Sequence, residues 1–238
     1  MEALKEKQKE LGPDMHLIEN RIFQDYQQKV YEEVMDIIGP DRPVKPEDLP
    51  HLKFTERFIK ETLRLFPAGS FVVRAILEDV NIGEHVLVKG TSAIFNIYSV
   101  HTNEKYWPDP YRFNPDRFLP EEIAKRHPCT YLPFSYGPRN CIGSDELCII
   151  DKSLTNETLF LGMKYGMMSM KTLVANVVRK CKLRTSYRGV EDIKLKSILV
   201  SRAKDGCNFP KKSSMPWKRL FTGEKNYFFK NFQIIVER

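Results

Sequence analysis

Two stretches near the start of the chain have apolar residues at helical spacing. The first predicts an amphipathic helix over about residues 19–38, ended by Gly39-Pro40, because apolar positions recur every four residues at Ile22, Tyr26, Val30 and Val34. The second predicts a helix that ends at Pro67 and has apolar positions at Phe54, Phe58, Ile59, Leu63 and Phe66. Helical structure is therefore expected first along the chain.

A β-rich region is predicted after the second helix. The apolar run FVVRAIL at 71–77 predicts a strand, and Gly83 and Gly90 separate the short segments VLV and SAIFNIYSV. Together these segments predict a small antiparallel sheet. From about 103 to 138 the chain is rich in proline and aromatic residues, a composition that argues against helix and central strand and predicts a long ordered loop.

A third helical pattern begins at about Met163. Its predicted apolar stripe consists of Met167, Met170, Leu173, Val174 and Val177. Short strands are predicted near LRTSY and KSILVSR, which follow this helix. The predicted fold class is therefore mainly α with a minor β part.

Composition narrows the class of protein. With 42% hydrophobic and 29% charged residues, the 238-residue chain is globular rather than disordered, collagen-like or stapled by disulfides. The five cysteines include no C-x-x-C pair, which argues against a disulfide framework and a structural zinc site. No stretch approaches the roughly 18 apolar residues of a membrane span, so we expect this chain to carry no anchor.

Charge is distributed unevenly along the chain. The net charge is +7; residues 1–143 hold 19 Lys+Arg against 22 Asp+Glu, whereas residues 144–238 hold 19 against 9. The basic part suits an acidic partner or an anionic surface. The aromatic and basic C-terminal tail could also suit nucleic acid, but the chain has no nucleic-acid-binding fold motif, so no nucleic acid partner is expected.

The segment FSYGPRNCIG carries the candidate chemistry. Its glycines, Gly137 and Gly143, let the backbone turn tightly around Cys141 and approach a flat ligand. A thiolate at Cys141 would be a strong axial ligand for a metal. Arg139 can meet a carboxylate, and Phe134 can pack against a macrocycle. The alternative for a single cysteine after a turn is a buried free thiol.

This segment resembles the haem-binding loop F-x-x-G-x-R-x-C-x-G of the cytochrome P-450 superfamily. The resemblance implies haem b (iron protoporphyrin) as the cofactor, with Cys141 as the axial ligand of its iron. It also implies that Arg139, together with Arg74 in FVVRAI, reaches the haem propionates, and that the loop is shaped by Phe134, Gly137 and Gly143. For Arg74 the alternative is a surface charge at a strand edge.

Two further segments resemble the same superfamily. Glu61 and Arg64 in FIKETLRLFP are three residues apart on one helix face, where such a pair is more often a solvated surface contact. The superfamily has this pair in a signature helix, and FNPDRF, which contains Arg117, resembles its F-x-P-x-R-F segment. The resemblance implies that Glu61, Arg64 and Arg117 form a buried structural network behind the haem rather than a catalytic group.

The resemblance implies an incomplete domain. Segments such as ETLRLFP and NEKYWPDP are similar to arthropod microsomal family-four members and imply the C-terminal half of the fold. We expect a partial P-450 domain over 1–212 with a haem-ligand loop at 134–143, an inserted segment at 144–162, and a divergent basic tail at 213–238. The superfamily's (A/G)-G-x-(D/E)-T-T pattern for oxygen activation is absent from the sequence, so no catalytic residue is assigned.

The function implied by this resemblance is that of a haem-thiolate monooxygenase. Such an enzyme inserts one oxygen atom from O2 into a lipophilic substrate, here fatty-acid-like or xenobiotic. The implied electron donor is an NADPH-dependent flavoprotein reductase, and the implied location is the cytosolic face of the endoplasmic reticulum membrane. The alternative hypothesis is a truncated, catalytically inactive relative, or a mispredicted gene product, that at most binds haem.

Overall fold

The computed structural model describes residues 15–136, 161–185, 193, 195–197, 201–203, 226–229 and 232–236. The helices in these residues are α1 (Met15–Ile37), α2 (Lys53–Leu65), α3 (Ile97–His101), α4 (Pro120–Ala124) and α5 (Leu161–Lys180). Short 3-10 helices span Pro46–His51, Pro115–Phe118 and Pro128–Thr130. Helix predominates in this part of the chain, as the predicted class requires. None of these helices is long and apolar enough to cross a membrane.

The strands are short and form several separate ladders. They are β1 (Phe71–Ala75), β2 (Val80–Ile82), β3 (His85–Leu87), β4 (Ser92–Asn96), β5 (Cys181–Thr185), β6 (Leu195–Ser197), β7 (Ser201–Ala203), β8 (Asn226–Phe229) and β9 (Phe232–Val236). The single small sheet predicted for the β-rich region is instead two ladders: β1 pairs with β4, and β2 pairs with β3. Among the described strands, the other ladders are β5-β9-β8 and β6-β7.

The first two helices confirm the predicted ones. α1 begins at Met15, a few residues before the predicted start, and ends where Gly39 adopts a φ of +82°. This left-handed conformation lets the chain leave the helix and is easiest for glycine, which has no Cβ. α2 ends at Leu65, two residues before Pro67, as expected for a residue that stops a helix.

Two predictions from β4 onwards hold only in part. The β-rich prediction for SAIFNIYSV is confirmed over Ser92–Asn96, but not beyond: the Asn96 side chain accepts a hydrogen bond from the Ser99 N–H at 3.0 Å and thereby caps α3. The proline-rich stretch is not free of helix either. Its prolines occupy the first helical positions of two 3-10 helices and of α4, where the missing N–H costs nothing, at Pro115, Pro120 and Pro128.

The chain divides into two compact units, each described by itself. The first unit contains residues 1–58, 168–194 and 203–238, and the second unit contains 59–167 and 195–202. The first unit has a core of apolar side chains: Val30, Val34, Ile38, Leu49, Leu52 and Ala175. Glu33 of α1 secures the start of α2, because its carboxylate accepts hydrogen bonds from the N–H groups of Phe54 and Thr55 at 2.6 and 2.7 Å.

α5 confirms the predicted third helix but not its whole apolar stripe. Leu173 is 59% exposed, whereas Lys171, outside the predicted stripe, is only 6% exposed. The Lys171 ammonium donates to the Leu49 carbonyl at 2.8 Å and to Glu56 Oε2 at 2.6 Å. The aliphatic part of a lysine can pack on an apolar helix face while its ammonium group binds polar groups. A prediction based only on apolar residues therefore leaves Lys171 out of the buried face of α5.

Candidate functional site

A fully buried ion pair forms the centre of the site in the second unit. Glu61 and Arg64 both have side chains that are 0% exposed, and they meet through two hydrogen bonds: Arg64 Nε to Glu61 Oε2 at 2.8 Å, and Arg64 Nη2 to Glu61 Oε1 at 2.9 Å. Their three-residue separation on α2 places them on the same face. The bidentate geometry orients the carboxylate and the guanidinium in one plane.

Backbone groups from distant segments complete this pair. Arg64 Nη1 donates to the His101 carbonyl at 2.8 Å, and the Asn114 N–H donates to Glu61 Oε1 at 2.9 Å. The Arg64 guanidinium carbon also lies 5.1 Å from the centre of the Trp107 ring, a side chain that is 0% exposed. This cation–π contact gives the buried positive charge a further favourable neighbour.

Arg117 approaches the pair from the 3-10 helix Pro115–Phe118. Its Nε lies 3.7 Å from Glu61 Oε1, and its Nη2 donates to the Asp109 carbonyl at 2.9 Å. Among the described residues no acceptor lies within hydrogen-bonding distance of the buried Arg117 Nε. Burial lowers the pKa of the Arg117 guanidinium, while the Glu61 carboxylate acts in the opposite direction. The structure thus brings the predicted trio of Glu61, Arg64 and Arg117 together around one carboxylate.

His101 connects this network to the segment that leads into the candidate loop. Its ring is 0% exposed, with Nδ1 3.2 Å from the Arg64 carbonyl and Nε2 accepting the Leu132 N–H at 2.7 Å. The same ring stacks on Tyr131, with centroids 5.4 Å apart. Burial lowers the pKa of the His101 imidazole to about 4, because the charged form would lose its hydration. His101 is therefore neutral at ordinary pH.

Neighbouring residues of this segment are held as well. The Tyr131 hydroxyl donates to the Lys60 carbonyl on α2 at 2.9 Å, and Trp107 Nε1 donates to the Thr130 carbonyl at 3.2 Å. Three successive residues, 130 to 132, are thus each tied to another part of the second unit. They fix the backbone immediately before Phe134.

Phe134 is the first residue of the FSYGPRNCIG segment, and the structure places it against α5. Its half-buried ring lies close to Gly166, where an added Cβ would be 3.5 Å from the ring's Cε1. Ser135 follows with a φ of +66°, a turn in the left-handed region. The segment thus begins in a defined position on the helix that follows it in sequence.

The other predicted haem-binding residues fall in two groups. Arg74 is half-buried on β1, and its Nη1 donates to the Val73 carbonyl at 3.1 Å. The remaining four lie outside the described residues: Gly137, Arg139, Cys141 and Gly143. Within the described ranges no group of three or more His, Cys, Asp or Glu side chains could hold a metal ion.

Sequence reasoning missed two members of the site. His101 is followed by no second histidine at a recognisable ligand spacing, and no motif quoted for the family contains it. Arg126 lies over Trp107, with its guanidinium carbon 4.3 Å from the ring centre, and also donates to the Arg117 carbonyl. The composition of this stretch could have indicated Arg126. A tryptophan and several arginines in a proline-rich segment favour buried cation–π contacts over a solvated loop.

Known proteins match the sequence of this chain. Residues 16–145 match the family model described as Cytochrome P450. The chain is 39% identical over 184 residues to cytochrome P450 4c3 of Drosophila melanogaster and 36% identical over 181 residues to cytochrome P450 4V2 of Homo sapiens. It is also 34% identical over 176 residues to cytochrome P450 4c21 of Blattella germanica. The chain therefore belongs to the cytochrome P450 family.

These relatives confirm the predicted likeness to family-four members. The three alignments cover 76%, 76% and 74% of this chain but 31% of each relative. The chain thus spans about a third of the length of the curated relatives it matches.

Proposed function

We propose that this chain forms the C-terminal portion of a haem-thiolate monooxygenase. One observation carries the proposal: the buried Glu61–Arg64 pair is joined through His101 to the backbone at Leu132, two residues before the FSYGPRNCIG segment. Burying two charges is expensive, so a pair at such a position serves a particular arrangement rather than bulk stability. The arrangement that it serves here is the start of the haem-binding loop.

The residues of the proposed site suit a haem chemically. Cys141 supplies a thiolate, a soft ligand suited to iron, while Arg139 and Arg74 supply guanidinium groups suited to the two propionates. Phe134, already packed on α5, offers an apolar ring, and Gly137 and Gly143 allow the loop to turn closely. When bound, a thiolate-ligated haem supplies the chemistry for oxygen insertion into C–H bonds. The protein's share is to bind and orient it.

The proposed substrate and partners are those that the resemblance to this family implies. The substrate is lipophilic, either fatty-acid-like or xenobiotic; it gains one oxygen atom of O2, and the other leaves as water. Two electrons come from an NADPH-dependent flavoprotein reductase. The surplus of 19 Lys+Arg over 9 Asp+Glu in residues 144–238 supports docking of an acidic donor. The proposed location is the cytosolic face of the endoplasmic reticulum membrane.

Haem reconstitution tests this proposal. The full chain is mixed with haemin, reduced and exposed to carbon monoxide, and its absorption spectrum is compared with those of Cys141→Ser and of a matched control, Cys129→Ser. Cys129 is an exposed free thiol, so its loss should leave the spectrum unchanged. We expect the red-shifted Soret band of thiolate ligation in the wild type and the control, and its loss in Cys141→Ser. A wild type without this band, or a Cys141→Ser variant that keeps it, contradicts the assignment.

A second candidate function is a haem-binding chain without turnover. The observation that favours it is the run SDELCIIDKSLTNETLFLG at 144–162, which interrupts the resemblance directly after Gly143. Adding reductase, NADPH and a medium-chain fatty acid to the haem-loaded chain separates the two. Hydroxylated product that depends on Cys141 supports the monooxygenase, whereas a thiolate-type spectrum without product supports the second candidate.

The proposed domain organisation has its own test. We propose 1–212 as the partial P450 domain, 144–162 as an inserted segment and 213–238 as a divergent tail. Sequencing mature transcripts across the codons for 144–162 decides whether the insertion is normal. If the ordinary message lacks these nineteen codons, they derive from a retained intron or a gene-model error; if it contains them, that explanation is wrong.

A further inference from the structure

We infer that His101 is a positioning residue, whose ring transmits the placement of the Glu61–Arg64 pair to the backbone at the start of the FSYGPRNCIG segment. The backbone amide of Leu132 reaches the α2 network through this side chain, at 2.7 Å from Nε2. The consequence for haem rests on the proposed function, whereas the contact itself does not.

The hydrogen bonds determine which nitrogen of His101 carries the proton. The Leu132 N–H can only donate, so Nε2 must be the unprotonated nitrogen. A neutral imidazole then carries its proton on Nδ1, which faces the Arg64 carbonyl at 3.2 Å. Each ring nitrogen therefore has a backbone partner on a different segment, and exchanging the tautomer would break both contacts.

His101 and Arg64 also hold each other in a reciprocal arrangement. Arg64 Nη1 donates to the His101 carbonyl at 2.8 Å, while the His101 ring donates to the Arg64 carbonyl. Because the guanidinium is itself held by Glu61, the His101 backbone and ring are fixed at the same time. Any displacement of the ion pair is thus transmitted to the acceptor for the Leu132 amide.

The contacts of the next residues make this position important for the loop. Tyr131 stacks on the His101 ring and donates to the Lys60 carbonyl, so two consecutive loop residues are secured from α2. Phe134 then packs on α5 near Gly166. The backbone is thus anchored at residue 132 and again at residue 134, the first residue of the FSYGPRNCIG segment.

Two substitutions at His101 separate positioning from simple filling of space. His101→Phe keeps an aromatic ring against Tyr131 but removes both hydrogen bonds, whereas His101→Gln can still present an acceptor where Nε2 lies. His85→Phe is the matched control, because it makes the same change at an exposed histidine on β3. The first measurement is hydrogen exchange of the Leu132 amide in the chain without haem.

We expect the Leu132 amide to exchange roughly tenfold faster in His101→Phe and to be nearer the wild-type rate in His101→Gln. Amides of α1, in the first unit, serve as the internal reference and should be unchanged. Equal exchange at Leu132 in wild type and His101→Phe would overturn the inference, and so would equal acceleration in both variants, since simple filling of space predicts no advantage for glutamine.

The second measurement uses the wild-type chain, so it stands even if a variant fails to fold. Nitrogen chemical shifts of the imidazole should show Nδ1 protonated and Nε2 unprotonated at neutral pH. Observation of the opposite tautomer overturns the inference.

The third measurement links the contact to haem. In the reduced carbon monoxide complex, His101→Phe should lose part of the thiolate-type Soret intensity that the wild type and His85→Phe show, and His101→Gln should regain most of it. A wild type that binds no haem contradicts the proposed function alone. A thiolate-type band of full intensity in His101→Phe contradicts the positioning role alone.

Discussion

The two units of the molecule bury charge in different ways. In the second unit, Glu61 and Arg64 are both 0% exposed and meet at 2.8 Å. In the first unit, the Lys171 side chain is 7% exposed but that of its partner Glu56 is 35% exposed, and the two meet at the shorter distance of 2.6 Å. Distance therefore does not rank these pairs. The cost of breaking each pair depends instead on how well water can hydrate the charge that remains after its partner is removed.

The exposed pair Lys125–Glu122 extends the same comparison. It also meets at 2.6 Å, with side chains 67% and 42% exposed. The Lys125 ammonium lowers the pKa of the Glu122 carboxyl, yet water solvates both groups in the absence of the contact. These three pairs have nearly equal distances but range from fully buried to largely exposed. The loss of stability on substitution should therefore be largest for the buried pair and smallest for the exposed one.

The largest effect is expected for Arg64→Met. This change leaves the Glu61 carboxylate buried, with the Asn114 N–H as its hydrogen bond and Arg117 at 3.7 Å, and should lower the free energy of unfolding by about 3–5 kcal/mol. Denaturant unfolding followed by fluorescence measures it. The chain has two tryptophans, so a Trp217→Phe background leaves buried Trp107 as the reporter.

Arg42→Met is the control for this prediction. Arg42 is 41% exposed, so water reaches its pair with Asp48, and the same substitution should cost clearly less than Arg64→Met. Equal losses in the two variants would show that burial does not decide the strength of these pairs.

The next effect concerns pH and His101. Its pKa is lowered by burial to about 4 from an ordinary 6.5, so between these values the unfolded chain binds a proton that the folded chain does not. Stability from this group is fully present above about pH 6.5 and declines as pH falls towards 4, by on the order of 3 kcal/mol in total.

The comparison of wild type with His101→Gln isolates this contribution from the carboxylates, which also titrate at low pH. Unfolding free energies measured at several pH values from about 7 to 4.5 should converge as the pH falls, because glutamine has no proton to gain. Parallel curves for the two proteins would mean that His101 has an ordinary pKa in the folded state.

A smaller effect is expected for Lys171→Met in the first unit. Methionine keeps the apolar stem on the helix face but loses the hydrogen bonds to the Leu49 carbonyl and to Glu56, so stability should fall by about 1–2 kcal/mol. Glu56 can be hydrated once it is alone. Calorimetric unfolding of this variant beside Arg64→Met tests the ranking, and a loss as large as that of Arg64→Met would remove the distinction between the units.

The smallest effect is expected for Lys125→Ala. Both side chains of this pair are exposed, so removal of the ammonium should leave the unfolding free energy nearly unchanged. Measurements at low and at about 1 M salt check the cause, because a surface contact is screened at high salt. A loss as large as that of Lys171→Met that persists at high salt would show that this pair does not behave as a solvent-exposed contact.

Much of the fold could be predicted from local pattern. The periodic apolar residues of α1, α2 and α5 reveal those helices, because one face of each packs on other residues. The predictions of secondary structure fail where a single residue ends or begins an element against the surrounding pattern. Asn96 ends an apparently continuous strand by capping α3, and Pro120 begins a helix in a stretch whose prolines argued against one. Burial is equally hard to predict from residue type: a lysine is expected at the surface, yet Lys171 is buried.

The sequence by itself determined the family, because the FSYGPRNCIG spacing and the E-x-x-R pair are local patterns that need no fold to be read. Only the tertiary structure decided that Glu61 and Arg64 are buried from solvent and that His101 connects them to Leu132 through hydrogen bonds. These contacts link residues 37 and 31 positions apart in the chain. Such pairings depend on the positions of whole helices and loops in the fold, so no periodicity or motif encodes them. They nevertheless decide how much stability is lost when one partner of a buried charge is removed.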